Sequence, residues 1–254
     1  MVGPEFREKV IMRRFFVSPA DINEQTATLT GSEAHHLINV LRLKAGGRIT
    51  LFDGTGTTYE GMIASLEPEV TVDITTINPE DLSRPRLHLA QALIKTKKNE
   101  LIVQKATELG VDSIVFFTSR YCATDEPSAS KQERWQRIAM ESCKQCNRPA
   151  PPEIRPVISF AECVRSANEH DLKIIFWEET ADKNLGVLRE KILAEKPEAV
   201  FYLIGPEGGL TDEEVALAKE HGFHSVTMGK QILRAETASI AAAAILQFLL
   251  GNMD

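Results

Sequence analysis

Val226-Thr-Met-Gly-Lys-Gln-Ile-Leu-Arg-Ala-Glu-Thr-Ala-Ser-Ile-Ala-Ala-Ala-Ala-Ile245 is the stretch whose reading decides the fold. Its apolar start predicts a short strand ending at Met228. A loop then carries Gly229, Lys230, Gln231, Arg234 and Glu236, and a helix of very small residues runs from Ala238 to Leu250. Upstream, Phe201-Tyr-Leu-Ile-Gly-Pro-Glu-Gly-Gly209 repeats the arrangement, an apolar strand breaking into a glycine loop ahead of a helix. Thr211 and Glu214 have the spacing of a capping box for that helix. Two such units place their loops side by side at the carboxyl ends of parallel strands, where open α/β sheets bind ligands.

Further from this pair, Leu87–Leu93, Ser113–Phe117 and Lys173–Trp177 read as buried strands. Helical patterns cover 99–109, with Gly110 as its stop, then 131–145 and 185–193. Strands alternating with helices predict an α/β fold, a mainly parallel sheet with flanking helices. Ahead of Leu87 the pattern changes. Arg13–Val17, Thr26–Thr30, Arg48–Phe52, Thr58–Ile63 and Val70–Ile74 are short strands, with a turn at Asp53–Gly56 and a helical interruption at 32–42 capped by Ser32. These predict a small N-terminal β-barrel. Asn78–Pro85, polar and with two prolines, is the linker. The domains are therefore drawn as 12–77 and 86–254.

With 254 residues, 43% hydrophobic and 26% charged, the chain has enough apolar content for real cores. No apolar run reaches the roughly 20 residues needed to span a bilayer. Residues 1–11 lack the apolar core of a signal peptide and are set aside, either as a cloning remnant or as an upstream extension before a natural start at Met12. A cytoplasmic location is expected. The net charge of −7 argues against a non-specific nucleic-acid coat, although local basic faces remain open. Cys143-Lys-Gln-Cys146 has CxxC spacing but no second ligand pair, so reduced thiols and no metal are expected.

Absent motifs narrow the chemistry. There is no GxxxxGK[ST], no GxGxxG opening the first βα unit, no HExxH and no GxSxG. His35 and His36 are adjacent and do not face each other on a helix, so they read as surface or packing residues, with nucleic-acid contact as the second option. The Gly205-Pro-Glu-Gly-Gly209 loop suits close backbone approach to a ligand, or tight packing alone. Arg234 and Glu236, set between an apolar strand and an apolar helix, are either an internal ion pair or functional charges; both readings can hold. Basic residues cluster as Arg13-Arg14, Arg42 with Lys44, Lys95 with Lys97, Lys98 and Lys105, and Arg134, Arg137, Lys144 with Arg148. Arg13, Arg14, Arg42 and Lys44 on a small barrel are the candidates for RNA phosphate contacts.

GPEGGLTDEEV and MGKQILRAETASIAAAAIL resemble the two cofactor-loop motifs of the RsmE family, the 16S ribosomal RNA (uracil-N3)-methyltransferases of the SPOUT superfamily. MRRFFV, HHLINVLRLKAGG, LFDGTG and QKATELGV are also similar to that family, so the resemblance spans Met12 to the end. It implies a PUA-like RNA-binding barrel, a catalytic domain with a deep trefoil knot, a homodimer and S-adenosyl-L-methionine as cofactor. It implies Leu203, Gly205, Pro206, Glu207, Gly208 and Gly209 at the cofactor from the first loop, and Met228, Gly229, Ile232 and Leu233 from the second. The partner it implies is 16S rRNA or the small ribosomal subunit. Gln231 stands where the family often carries a basic residue, and Gly47 where an acidic one is common.

Methylation at uridine N3 requires loss of the N3 proton and spreads negative charge over O2 and O4. Arg234 is the residue expected to stabilise that charge or anchor the nucleotide. Glu236 is expected to accept the proton or to orient Arg234. Thr237 either caps the last helix or donates to the substrate. The competing readings are a SPOUT-type enzyme acting on a ribose 2′-OH or a tRNA base, and a non-catalytic RNA-binding assembly factor.

Overall fold

The computed structural model describes residues 13–80, 83–123, 127–178 and 184–253; Met12 and Asp254, the outer limits of the two segments drawn above, and residues 1–11 lie outside them. Two compact units result, 13–80 with 147–150, and 83–146 with 151–253.

The first unit is one six-stranded sheet of β1 (Arg13–Phe16), β2 (Ile22–Asn23), β3 (Thr26–Leu29), β4 (Arg48–Phe52), β5 (Thr57–Ser65) and β6 (Val70–Pro79). Its order is β1-β4-β5-β6-β3-β2, parallel between β1 and β4 and antiparallel elsewhere. The outer strands β1 and β2 do not pair with each other, so the barrel expected from the sequence is a half-barrel with two edges. Period-two alternation sends Phe15, Leu29, Ile49, Leu51, Ile63 and Val72 into a common core. Asp53 closes the β4–β5 turn: its Oδ1 accepts from the Thr55 and Thr57 amides at 2.8 and 3.2 Å, and the Tyr59 hydroxyl donates to Oδ2 at 3.0 Å. β6 runs through Asn78 and Pro79, and the Glu80 amide still donates to Gly56. The extended run therefore continues into the proposed linker, since a proline at a strand end forfeits no needed donor. The helical interruption is α1 (Gly31–His35), followed by a wider turn over His36–Val40; Thr30 occupies the cap position, with Ser32 already inside the helix.

The second unit is a parallel sheet of β7 (Arg86–Ala92), β8 (Ser113–Thr118), β9 (Glu153–Ser159), β10 (Leu172–Phe176), β11 (Ala199–Ile204) and β12 (His224–Val226), in the order β12-β10-β11-β7-β8-β9. Its helices are α2 (Thr96–Glu108), α3 (Ala129–Cys146), α4 (Phe160–Ser166), α5 (Leu185–Glu195), α6 (Asp212–Glu220) and α7 (Ala235–Leu249). Leu87, Leu89, Phe116, Ile174 and Tyr202 face α2, α3, α5 and α7. Ala90, Phe117, Ile175, Phe201 and Leu203 face α4 and α6. Both faces of the sheet are thus covered, as a parallel sheet of apolar strands requires.

Three local readings change. β9 and α4 escape the sequence patterns because Pro156 interrupts the run, and β9 tolerates it as an edge strand. β12 ends at Val226, leaving Met228 in the following loop. α7 begins at Ala235, which moves Glu236 and Thr237 from the loop into the first helical turn. Cys143 and Cys146 lie within α3; Cys143 and Cys163 are buried, and burial pushes the Cys163 thiol up. Among the described residues no three His, Cys, Asp or Glu side chains gather as a metal site, and no helix is long and apolar enough to cross a membrane.

A histidine pair sits near the amino ends of the central strands. The rings of His88 and His170 meet edge to face at 4.5 Å, and His88 Nδ1 shares a 2.8 Å hydrogen bond with Ser113 Oγ. Burial, then His170, lowers the His88 pKa from 6.5 to about 4; burial lowers that of His170 as well. The unfolded chain therefore binds protons that the folded chain refuses. Stability conferred by the neutral pair is present above pH 6.5 and is lost as the pH falls through about 4. Thermal unfolding followed by circular dichroism will show a midpoint that drops across this window, and His88→Asn will flatten the drop.

Candidate active site

Phe176 pairs with both Ile204 and Val226, so β10, β11 and β12 end level with one another. Trp177-Glu178, Gly205–Leu210 and Thr227–Arg234 consequently leave the sheet side by side. Between them lies a cavity of about 240 Å³, lined by Trp177 and Glu178, by Gly205, Pro206, Glu207, Gly209 and Leu210, and by Ile232, Leu233 and Arg234. A pocket of about 60 Å³ on the same residues Trp177, Glu178 and Leu233 adds Met228, Gly229 and Gln231. A cavity of about 720 Å³ lies elsewhere, between α2 and α3, but it is lined by helix-face side chains such as Lys105, Arg134 and Glu141 and reaches no strand end.

The first loop follows the rule that close approach demands glycine. A Cβ on Gly208 would stand 2.8 Å from the Tyr121 Cβ, and Gly209 has φ +77°, a conformation that L side chains rarely adopt. Thr211 and Glu214 form the expected capping box, so α6 begins immediately behind the loop. Leu203 does not reach the cavity with its side chain. It is fully buried in the core on the α4–α6 face, leaving only its backbone near the loop. Gly208 lies outside both cavity linings. In the second loop Ile232 is 84% exposed, an unusual position for isoleucine, while Leu233 lines both cavities.

The charges arrange differently from the internal Arg–Glu pair considered from the sequence. Glu236 pairs with Lys98 from the first turn of α2: Nζ lies 3.1 Å from Oε2, although this oxygen has no well-aligned donor. The same ammonium lies 3.0 Å from Glu207 Oε1 on the first loop. Glu207 first, then Glu236, raise the Lys98 pKa. Burial works to raise the Glu236 carboxyl, but its own backbone amide, Lys98 and Arg234 outweigh burial and hold it below the ordinary range. Arg234 occupies the residue before α7, is exposed, lines the larger cavity and makes no ion pair among the described residues. Thr237 is exposed in the first turn of α7, and no side chain caps that helix, so the capping role does not apply to it.

In the first unit, Arg13, Arg42 and Lys44 are exposed. Arg14 is turned inward: it donates to the carbonyls of Asn147 and Arg148 at 2.7 and 2.6 Å and lies 4.7 Å over the Phe52 ring. Its guanidinium is engaged by protein, unlike those of its neighbours. Sequence reasoning missed Trp177, Glu178 and Leu210 at the cavity, and placed Lys98 only within a basic cluster. The signal for Trp177-Glu178 was available, because the pair directly follows a buried strand at its carboxyl end.

The geometry agrees with what the chain resembles. Residues 81–247 match the family described as an RNA methyltransferase domain, and residues 29–75 match the RNA methyltransferase PUA domain. The chain is 33% identical over 95% of its length to ribosomal RNA small subunit methyltransferase E of Synechocystis, covering 79% of that protein. It is 30% identical over 93% of its length to the Bacillus subtilis protein of the same name, covering 96% of it. A ribosomal RNA small subunit methyltransferase E from Neisseria gonorrhoeae, solved bound to S-adenosyl methionine, superposes with a TM-score of 0.80 at 33% identity, over 94% of this chain and 98% of that one. On the strength of these matches across both units, the chain belongs to the ribosomal RNA small subunit methyltransferase E family of RNA methyltransferases.

Proposed function

We propose that this protein methylates N3 of a specific uridine in 16S rRNA of the small ribosomal subunit, with S-adenosyl-L-methionine as donor. The observation that carries the reading is the cavity itself: two loops with the expected motifs meet at level strand ends, with Arg234 in the lining and Glu236 two residues further on, outside it. The residues fit the donor. Gly205 and Gly209 leave the backbone accessible, Leu210 and Leu233 supply apolar walls for an adenosine, and Glu178 and Glu207 suit a cationic group. Pro206, Met228, Gly229 and Ile232 complete its proposed contacts, with Leu203 and Gly208 contributing backbone only. Bound there, the donor supplies an electrophilic sulfonium methyl.

The chain's part is to hold the base and remove its proton. Arg234, exposed at the cavity wall, is placed to offset the charge that builds on the uracil oxygens as the N3 proton leaves. Glu236, already ionised at neutral pH, is available to accept that proton directly or through water. Thr237, free of a capping role, is a donor available to the substrate. We expect Arg234→Ala to lower the methylation rate of small subunits by about 10²–10³-fold while leaving calorimetric affinity for S-adenosyl-L-methionine within a few-fold. Loss of cofactor binding instead would make Arg234 part of the cofactor pocket, and an unchanged N3-methyluridine signal in rRNA from a deletion strain would remove the function.

The domain assignment is part of the same reading: a PUA-like RNA-binding segment over 12–77, and a catalytic one over 86–254 acting in the cytoplasm. Exposed Arg13, Arg42 and Lys44 are the proposed phosphate contacts, with Arg14 in a supporting role. Replacing those three by alanine is expected to weaken RNA binding and to flatten its dependence on log salt by about 2–3 units of slope, measured by titration at several salt concentrations.

Two further elements rest on the family likeness and on topology. β12 joins the sheet beside β10 although it follows β11 in the chain, so the path from β11 through α6 crosses β10 before the second loop. This supports a trefoil knot, a rare path whose threading no sequence pattern encodes. On α7, Ala241, Ala244 and Ile245 are partly exposed and Phe248 is 66% exposed, a stripe at i, i+3, i+4 and i+7. That stripe supports a homodimer. Phe248→Glu is expected to shift the protein from dimer to monomer in sedimentation equilibrium, with its circular dichroism spectrum unchanged.

A further inference from the structure

Lys98 is the charge that the sequence does not single out and that the site cannot be described without. It lies in the first turn of α2, after β7, and Glu207 follows β11, the strand that pairs with β7. β8 lies on the far side of β7 and β10 on the far side of β11, so the crevice between β7 and β11 is where the chain changes direction across the sheet. Lys98 Nζ bridges that crevice, 3.0 Å from Glu207 Oε1 and 3.1 Å from Glu236 Oε2.

Helix stability does not account for a lysine there. The first turn of a helix carries the positive end of its dipole, and a cation placed in it is opposed. α2 has no acidic residue in its first turn, and Lys95, Lys97 and Lys98 crowd its start. Glu236 is the opposite case, an anion in the first turn of α7. The ion pair therefore joins an ill-placed cation to a well-placed anion across two helix starts. Three charged groups stand around Glu236: Lys98 from α2, Glu207 beyond it on the first loop, and Arg234 on the segment before α7. Of these, the geometry gives Glu236 an ion pair only with Lys98.

We propose that Lys98 is a positioning residue of the methyl-transfer site, holding the Glu236 carboxylate in place and tying it to Glu207, so that the first loop and the start of α7 are anchored on one cation. It acts through the two carboxylates and does not itself touch the reacting atoms. The assignment rests on the methyl-transfer reading above. Removing the ammonium takes an opposite charge from within contact distance of Glu236, so its carboxyl titrates higher and the acid limb of the pH–rate profile follows it.

The test is single-turnover methylation of small ribosomal subunits by the full-length protein across pH, with Lys98→Met and Lys98→Arg. Carbon-13 titration of the Glu236 carboxyl is recorded in parallel. Lys98→Met is expected to lower kcat by roughly 100-fold and to move both the acid limb and the carboxyl titration up by about one pH unit. Lys98→Arg, which keeps the charge, is expected to restore the limb and most of the rate. An unmoved Glu236 titration in Lys98→Met, or a Lys98→Arg variant as slow as Lys98→Met, overturns the proposal. Calorimetry of the wild type with S-adenosyl-L-methionine separates the two levels: absent binding removes the functional reading, whereas binding with an unmoved titration removes only the role of Lys98.

Discussion

Strand β11 has no residue that faces water: Ala199 to Ile204 are all buried. Its alternate side chains enter two different cores, Phe201 and Leu203 on one face, Val200, Tyr202 and Ile204 on the other. Such a strand is stable only inside a sheet whose two faces are both covered, and every other element of the second unit meets that demand. Parallel pairing requires crossovers, the crossovers are helices, and the helices cover the faces. What remains uncovered is the row of carboxyl ends, where the loops must lie and where the cavity forms. The small residues of α7 belong to the same constraint, since Ser239, Ala242 and Ala243 are buried and let that helix lie close against the sheet. Buried Gln247 at its far end is satisfied by the Leu109 carbonyl and by Asn252, which also reaches Pro85.

Charge at the cavity is organised by helix ends as much as by side chains. α2 and α7 both begin at this edge of the sheet, and each presents a positive dipole end. Glu207 and Glu236 answer that field, and Lys98 answers the carboxylates. Arg234 adds to the field that lowers the Glu236 carboxyl but, exposed on the wall, makes no ion pair among the described residues. A site that is to receive charge developing on a base needs such a group, one that gives up no existing ion pair when the substrate arrives.

Much of this was legible from residue order. The strand at Phe201–Ile204, the capping box of Thr211 with Glu214, the stop at Gly110 and the two glycine loops all follow from local chemistry acting over a few residues, and they recur in the structure. β9 was not legible, because Pro156 reads as a breaker until its place at the sheet edge is known. The inward turn of Arg14 was not legible either. Its partners are the carbonyls of Asn147 and Arg148, more than a hundred residues away, and backbone oxygens leave no trace in sequence.

The sequence by itself determined the elements, their alternation and the chemical identity of both loops, because capping, turn geometry and apolar periodicity are set by neighbours in the chain. Its motifs also carried the family, since GPEGG and ILRAET sit in the order and spacing that the loops require. Only the tertiary structure decided that Glu236 belongs to a helix start and pairs with Lys98, that Leu203 faces a core while Leu210, Trp177 and Glu178 face the cavity, and that β12 lies beside β10. The physical reason is that strand order and the directions of helix starts bring together residues separated by more than a hundred positions. No local rule relates Lys98 to Glu236; the sheet face on which α2 and α7 both pack does.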